Sequence, residues 1–213
     1  MKRHLLIFLS LFFVMVGWTI VFADDGFYVV AGQKAKFAPV PKTGQTTPWG
    51  TGDDGTLQKG VAWPDPRFTD NGNGTVTDKL TGLMWQKNAN CIATYYPGFD
   101  NDSTPGDGEV TWPHALAFVV GINNGTYPLC GAGYNDWRLP NARELNSLID
   151  YGRSPTFPAG TPFTGLTYGN YWSSTSVASG PTLWAFYLNF GDASLSNMSK
   201  TTPYYVWPVR GGK

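Results

Sequence analysis

Apolar residues recur at helical spacing in two parts of the chain. The first run follows Thr111 and stops at an Asn-Gly pair at 124–125, which commonly ends a helix. The second begins at Asn141, which forms a capping pattern with Glu144 three residues later, and is predicted to end at Gly152. Both runs predict amphipathic helices. Their apolar stripes are Trp112, Ala115, Leu116, Val119 and Ile122 in the first helix and Leu145, Leu148 and Ile149 in the second.

Shorter apolar runs bounded by turn residues predict strands on both sides of the two helices. Residues 67–70 and 75–78 flank an Asn-Gly-Asn-Gly turn at 71–74, and Asn-Gly pairs adopt the positive φ angles of a hairpin turn at low cost. The run 183–190 is apolar nearly throughout, which is typical of a central strand. Further strands are predicted at 27–30, 83–86, 171–174, 194–199 and 204–210.

Strands followed by two helices and then by more strands are typical of an α+β domain. We therefore predict an antiparallel sheet packed against the two helices. The 26 glycines and 16 prolines, with a long Pro/Gly/Thr segment at 153–170, predict a loop-rich domain. We assign residues 61–213 to this domain and residues 24–60, where the pattern loses its periodicity toward the end, to an extended lead-in segment.

Residues 1–23 have the composition of a cleaved secretory signal. A basic start precedes an apolar run from Leu5 to Val16, and the tripeptide at 21–23 ends in alanine, as a signal-peptidase site does. The alternative is an uncleaved membrane anchor, although Gly17 interrupts a stretch of marginal length. We predict an exported protein, in the periplasm, at the cell surface or in the medium, without membrane insertion after cleavage.

The charge balance excludes two classes of partner. The chain has 15 basic and 15 acidic side chains, and removing Lys2 and Arg3 with the signal leaves a slightly acidic protein. Such a balance has no electrostatic footprint for nucleic acid or for an anionic membrane. Aromatic residues make up 15% of the chain, which is ample surface to bury in a core.

The chain has two cysteines, Cys91 and Cys130. An even number in an exported protein favours a disulfide. A metal site and a catalytic thiol are the alternatives. A metal site requires further soft ligands, and the mature chain has one histidine, His114. A thiol nucleophile requires a nearby base and a reducing environment.

Catalysis has little support in the sequence. HExxH and GxSxG motifs are absent, and His114 is a single imidazole at the start of a predicted helix. We therefore predict that the protein is not an enzyme and requires no cofactor.

Calcium is the one cofactor that the residues leave open. Asp100, Asp102 and Asp107 crowd one Gly/Pro-containing loop with Glu109, and weak extracellular calcium sites are built from such carboxylates. The alternative is a solvated acidic loop, because Asp-Gly and Asn-Asp are ordinary turn formers. The segment 70–74 also has some features of a calcium loop, but glycines occupy its third and fifth positions, so we interpret it as the hairpin turn.

Exposed aromatic rings near basic side chains are candidates for a ligand-binding surface. Carbohydrates stack on exposed Trp and Tyr, whereas the alternative for most of these rings is the core. We expect Tyr204 and Tyr205 to be exposed and the loops 153–182 and 191–205 to carry the contact surface. The candidate ligand-binding residues are Trp172, Trp184, Tyr187, Lys200, Tyr204, Tyr205 and Arg210.

Arg138 lies just before the second helix and has two interpretations. It is either an anion clamp or the partner of a buried carboxylate, and Glu144 and Asp136 are the candidates for that partner. The apolar residues that flank it favour the structural role.

Several motifs in a fixed order resemble one bacterial family, the domain first described at the C-terminus of the Legionella collagen-like adhesin (the Lcl C-terminal domain). The resemblance covers about residues 59–212, which is most of the mature chain. The motifs are RFTDNGNGTVTD at 67–78, TGLMW at 81–85, DWRLPN at 136–141, EL at 144–145, YWSS at 171–174 and VRGG at 209–212.

The resemblance implies an exported domain of C-type lectin-like fold, whose best-known relative binds sulfated polysaccharides and promotes attachment. Two features depart from that picture. The calcium-binding triplets of sugar-binding C-type lectins, Glu-Pro-Asn or Gln-Pro-Asp and Trp-Asn-Asp, are absent, and basic residues are sparse. We predict a non-catalytic, adhesin-like module that binds a glycan or surface polymer. The alternative is a structural, homo-oligomeric component of the cell envelope without a small ligand.

Overall fold

The computed structural model describes residues 40–100 and 102–211, together with the backbone of residues 20–22 and 28–30. The chain divides into two units, Met1–Pro39 and Val40–Lys213. In the first unit, strands β1 (Ile20–Phe22) and β2 (Tyr28–Val30) pair in antiparallel fashion, and the second corresponds to the strand predicted at 27–30. The rest of the predicted signal, at 1–19 and 23, lies outside the described residues.

The second unit combines short helices with two antiparallel sheets. The first sheet has the strand order β3-β4-β5-β9, and the second has the order β6-β7-β8. The α+β class is thus confirmed, but two sheets form where one was predicted. The strands are β3 (Phe68–Asp70), β4 (Thr75–Asp78), β5 (Met84–Gln86), β6 (Asn170–Ser176), β7 (Trp184–Asn189), β8 (Leu195–Ser199) and β9 (Val209–Arg210).

The predicted hairpin forms between β3 and β4, in a register that places Phe68 opposite Asp78. Its turn contains Gly72 and Gly74 at φ values of 73° and 86°, a region that glycine enters without steric cost. The Asn73 side chain accepts a hydrogen bond from the Thr75 amide at 3.2 Å. This is turn chemistry of the kind that the sequence indicated.

The predicted central strand is also confirmed, because β7 lies between β6 and β8. The strand predicted at 204–210 is wrong over most of its length. Only Val209 and Arg210 join a sheet, whereas Tyr204 and Tyr205 form single bridges to Val110 and to Tyr171. Each bridge ties the C-terminal segment to a different part of the domain, so the segment connects the two sheets.

The helix predicted after Thr111 is confirmed, whereas the helix predicted from Asn141 ends earlier than expected. The expected capping box forms, with Asn141 Oδ1 accepting from the Glu144 amide at 2.9 Å and Glu144 accepting from the Asn141 amide at 2.8 Å. Beyond Asn146 the amides of Leu148 and Ile149 bond three residues back, which tightens the chain into turns. The helices are α1 (Asp54–Leu57), α2 (Cys91–Tyr95), α3 (Trp112–Asn123), α4 (Pro128–Gly131) and α5 (Ala142–Asn146).

Two clusters of buried residues form the core. In one, the indole of Trp207 contacts Phe163 and Trp85, with ring centroids 4.8 and 5.3 Å apart. The other surrounds Phe118 of α3 and Trp172 of β6. In the described part of the chain, no helix combines the length and apolar character that crossing a bilayer requires.

The charged residues of the sequence motifs act as internal braces. Arg67 and Asp78 form a buried ion pair, and Arg138 contacts Glu144 through two hydrogen bonds of 2.6 and 2.7 Å. The structural interpretation of Arg138 is therefore confirmed, and the other candidate carboxylate, Asp136, pairs with Arg210. The motifs that carry the family resemblance thus hold the scaffold together.

Candidate functional site

Three of the residues predicted to bind a ligand are buried. Trp172 has no exposed surface, and its indole N–H donates to the Val110 carbonyl at 3.0 Å. Tyr204 is 7% exposed and packs between Trp172 and Tyr187, with both ring-centroid distances at 4.8 Å. The ammonium of Lys200 lies 3.7 Å from the Trp112 ring centroid. The expected exposure of Tyr204 is therefore wrong, because its ring fills the space between two aromatic neighbours.

The other predicted ligand-binding residues keep some exposure but do not form one cluster. Trp184 is 40% exposed on β7, whereas Arg210 is half-buried on β9 of the other sheet. The Arg210 guanidinium lies 3.7 Å from the Tyr134 ring centroid and donates to the Asp136 carboxylate at 2.7 Å. Tyr205 is half-buried and packs on Tyr171. Their role in ligand binding stays a prediction.

The predicted acidic cluster does converge. Oxygen atoms of Asp100, Asp102 and Asp107 lie within 4.8 Å of one another. Asp100 is 3% exposed, and its carboxylate accepts from the amides of Gly106 and Gly108 at 3.1 and 2.9 Å. Backbone N–H groups of the loop thus already use these oxygens. The remaining lone pairs of the three carboxylates can still accept a cation, so a calcium site here stays a prediction.

The acidic loop also contacts Tyr205, one of the residues predicted to bind a ligand. Val110, which follows the loop, exchanges two backbone hydrogen bonds with Tyr204, and this brings Glu109 beside Tyr205. Burial, reinforced by the negative charge of Asp107, raises the pKa of Glu109 to about 7. Burial and the Glu109 carboxylate likewise raise the pKa of Tyr205. The loop therefore holds a carboxyl group that changes charge near neutral pH.

This raised pKa predicts a pH-dependent stability. The pKa of Glu109 is higher in the folded protein than its ordinary value of 4.5, so the folded state holds this proton more tightly. The resulting contribution to stability is fully present below pH 4.5 and is lost as the pH rises through 7. We expect Glu109→Gln to remove about 1–2 kcal/mol of this pH dependence, a figure reduced for solvent screening because the carboxyl group is only half-buried. Melting curves of both proteins at pH 5 and pH 8 test this; equal pH dependence in the two would contradict it.

A cleft that the sequence did not indicate lies on another part of the surface. Its volume is about 700 Å³, within the roughly 300–1,000 Å³ typical of small-ligand sites. Tyr95, at the end of α2, is 48% exposed in its wall. The cleft is lined by Tyr95, Tyr96, Pro97, Gly98, Phe99, His114, Ala117 and Tyr127.

The rings behind Tyr95 are fixed by mutual packing. Tyr127 contacts Tyr96 and Phe99, with ring centroids 4.9 and 5.3 Å apart. Gly121 of α3 makes room for this arrangement, because a Cβ there would lie 2.3 Å from the Tyr127 ring. The Tyr96 hydroxyl accepts from the Leu129 amide at 3.0 Å. These contacts hold the aromatic wall in one arrangement.

The predicted disulfide is confirmed and supports this wall. Cys91 opens α2, Cys130 lies in α4, and their Cα atoms are 6.0 Å apart. The bond thus joins the helix that carries Tyr95 to the segment that follows Tyr127. A second hollow of about 290 Å³ adjoins the bond, and Tyr95 lines both hollows.

Comparison with known proteins identifies one family. The family model described as Lcl C-terminal domain matches residues 74–210, which is more than half of the chain. No curated protein matches the sequence. The match confirms the family predicted from the motifs and agrees with an adhesin-related, exported domain.

Proposed function

This chain belongs to the Lcl C-terminal domain family, and from that premise we propose that it is a non-catalytic, adhesin-like module that binds a glycan at or outside the cell surface. One observation carries the proposal. A cleft of about 700 Å³ presents tyrosine and phenylalanine rings that neighbouring residues already hold in place. Aromatic residues of this kind give large contact areas at low conformational cost.

The position of the cleft supports a recognition role. The ion pairs Arg67–Asp78 and Arg138–Glu144 belong to the family motifs, whereas Tyr95, which is 48% exposed in the wall of the cleft, lies outside them. Sites built on loops that a rigid scaffold positions are a common arrangement in binding proteins. Here α2, the turn at Pro97–Phe99 and Tyr127 form the loop-borne wall, and the disulfide holds its base.

A binding survey tests the proposal. Residues 24–213, produced with the disulfide intact, are applied to an array of neutral, acidic and sulfated oligosaccharides and to a panel of surface proteins. We expect micromolar binding to a subset of the glycans. Absence of binding to every glycan at high micromolar concentration, with sedimentation as a defined oligomer, would instead support a structural envelope subunit.

A further inference from the structure

We infer that the two hollows form one groove for a neutral glycan chain, in which Tyr95 contacts adjacent sugar units and the polar side chains of the smaller hollow bind hydroxyl groups of the sugar. The inference rests on the proposed function and specifies its ligand. We call the hollow of about 700 Å³ the aromatic hollow and that of about 290 Å³ the polar hollow. Tyr95 belongs to both, so a ligand longer than one sugar unit can cross from one to the other.

The two hollows differ in chemistry. Aromatic rings dominate the first, and a sugar presents an apolar C–H face that packs against such rings. Four of the nine residues that line the second carry amide or hydroxyl side chains, which can bind hydroxyl groups of a sugar. The polar hollow is lined by Gly74, Gln86, Lys87, Asn88, Cys91, Tyr95, Leu129, Cys130 and Thr164.

The charges of the groove favour a neutral chain. Lys87 lines the polar hollow, but its ammonium is already paired with Asp70 at 2.7 Å. His114 lines the aromatic hollow, and among the residues that the structure describes no carboxylate lines either hollow. A sulfated chain requires clustered cations, and an extended cationic chain requires carboxylates. The groove offers neither.

Gln86 fixes one wall of the polar hollow. The side chain is 2% exposed, and its amide N–H donates to the Cys130 carbonyl, which fixes the orientation of the amide because a carbonyl only accepts. This contact holds the wall beside the disulfide in place. Thr164, whose side chain is exposed at the edge of the hollow, offers a hydroxyl group that a ligand can reach.

Binding as a function of chain length tests the inference. The probes are linear β-1,4-linked glucose and N-acetylglucosamine oligomers of one to six units, with sulfated forms of the same chains. For the wild type we expect affinity to rise up to two or three units and then level off. Tyr95→Ala should weaken binding by about tenfold, because one stacked ring is lost. Tyr168→Ala is the matched control, since that tyrosine is 57% exposed and lines neither hollow.

One further variant addresses the polar hollow. Thr164 is exposed at its edge, so Thr164→Arg should obstruct this hollow without unfolding the protein; binding of one unit is kept and the gain with chain length is lost. Melting curves verify that each variant is folded.

The outcomes separate this inference from the broader proposal. Glycan binding that Tyr95→Ala and Thr164→Arg leave unchanged would overturn the groove but keep the proposed function. Tighter binding of the sulfated chains would overturn the neutral ligand. A wild type that binds no glycan would overturn both.

Discussion

Asp78→Ala is expected to lower the free energy of unfolding by about 3–5 kcal/mol, because it leaves the Arg67 guanidinium buried without its counter-charge. The Asp78 side chain is fully buried and accepts from Arg67 Nε and Nη2 at 2.9 and 2.8 Å. It also accepts from the Leu80 amide and the Thr81 hydroxyl. Denaturant unfolding monitored by tryptophan fluorescence measures the change.

Asp70→Ala provides a control in the same hairpin. Asp70 is the last residue of β3, next to the hairpin turn, and pairs with Lys87 at 2.7 Å. Both side chains are about one-third exposed. Exposed pairs contribute little, because water already solvates both charges. We expect this variant to unfold almost as the wild type does. Equal losses in the two variants would contradict the assignment of Arg67–Asp78 as the brace of the first sheet.

Cys91→Ser is expected to cost about 4 kcal/mol of stability, since the lost bond closes a loop between cysteines 39 positions apart. For a domain of this size, such a loss lowers Tm by about 10 °C. The change should also weaken binding in the groove, because α2 and α4 are no longer joined. Calorimetry measures the loss of stability, and titration with the oligosaccharides measures the loss of binding.

A thiol titration distinguishes the disulfide from its alternatives. The wild type should show no free thiol until it is reduced under denaturing conditions, and Cys91→Ser should show one, at Cys130. A reducing agent should bring the wild-type melting curve toward that of the variant. Two free thiols in the untreated protein, with a melting curve equal to that of the variant, would contradict the account.

Local signals predicted the elements that local chemistry controls. The glycines at 72 and 74 and the capping box of Asn141 with Glu144 specify a turn and a helix start through neighbouring residues alone. The end of α5 and the burial of Tyr204 were mispredicted because they depend on distant contacts. Tyr204 bonds to Val110, 94 positions away, and that pairing overrides the strand propensity of its own segment.

The candidate site was harder to predict for the same reason. Convergence of Asp100, Asp102 and Asp107 was predictable because they lie on one short loop. The aromatic hollow was not, because it joins Tyr95, His114 and Tyr127 from separate segments. One signal was present in the sequence: the predicted disulfide at Cys91 draws α2 toward Tyr127. Tyrosines flanking two bonded cysteines could therefore have been grouped in advance.

The most direct test of the account is to map ligand contacts by NMR. The amide resonances of residues 24–213 are recorded while the tightest-binding oligosaccharide of the array is added. We expect the shifts to cluster at residues 86–99, 114–130 and 164, which surround the groove. Shifts confined to the acidic loop at 100–109 and to residues 191–205, with the groove unchanged, would contradict it.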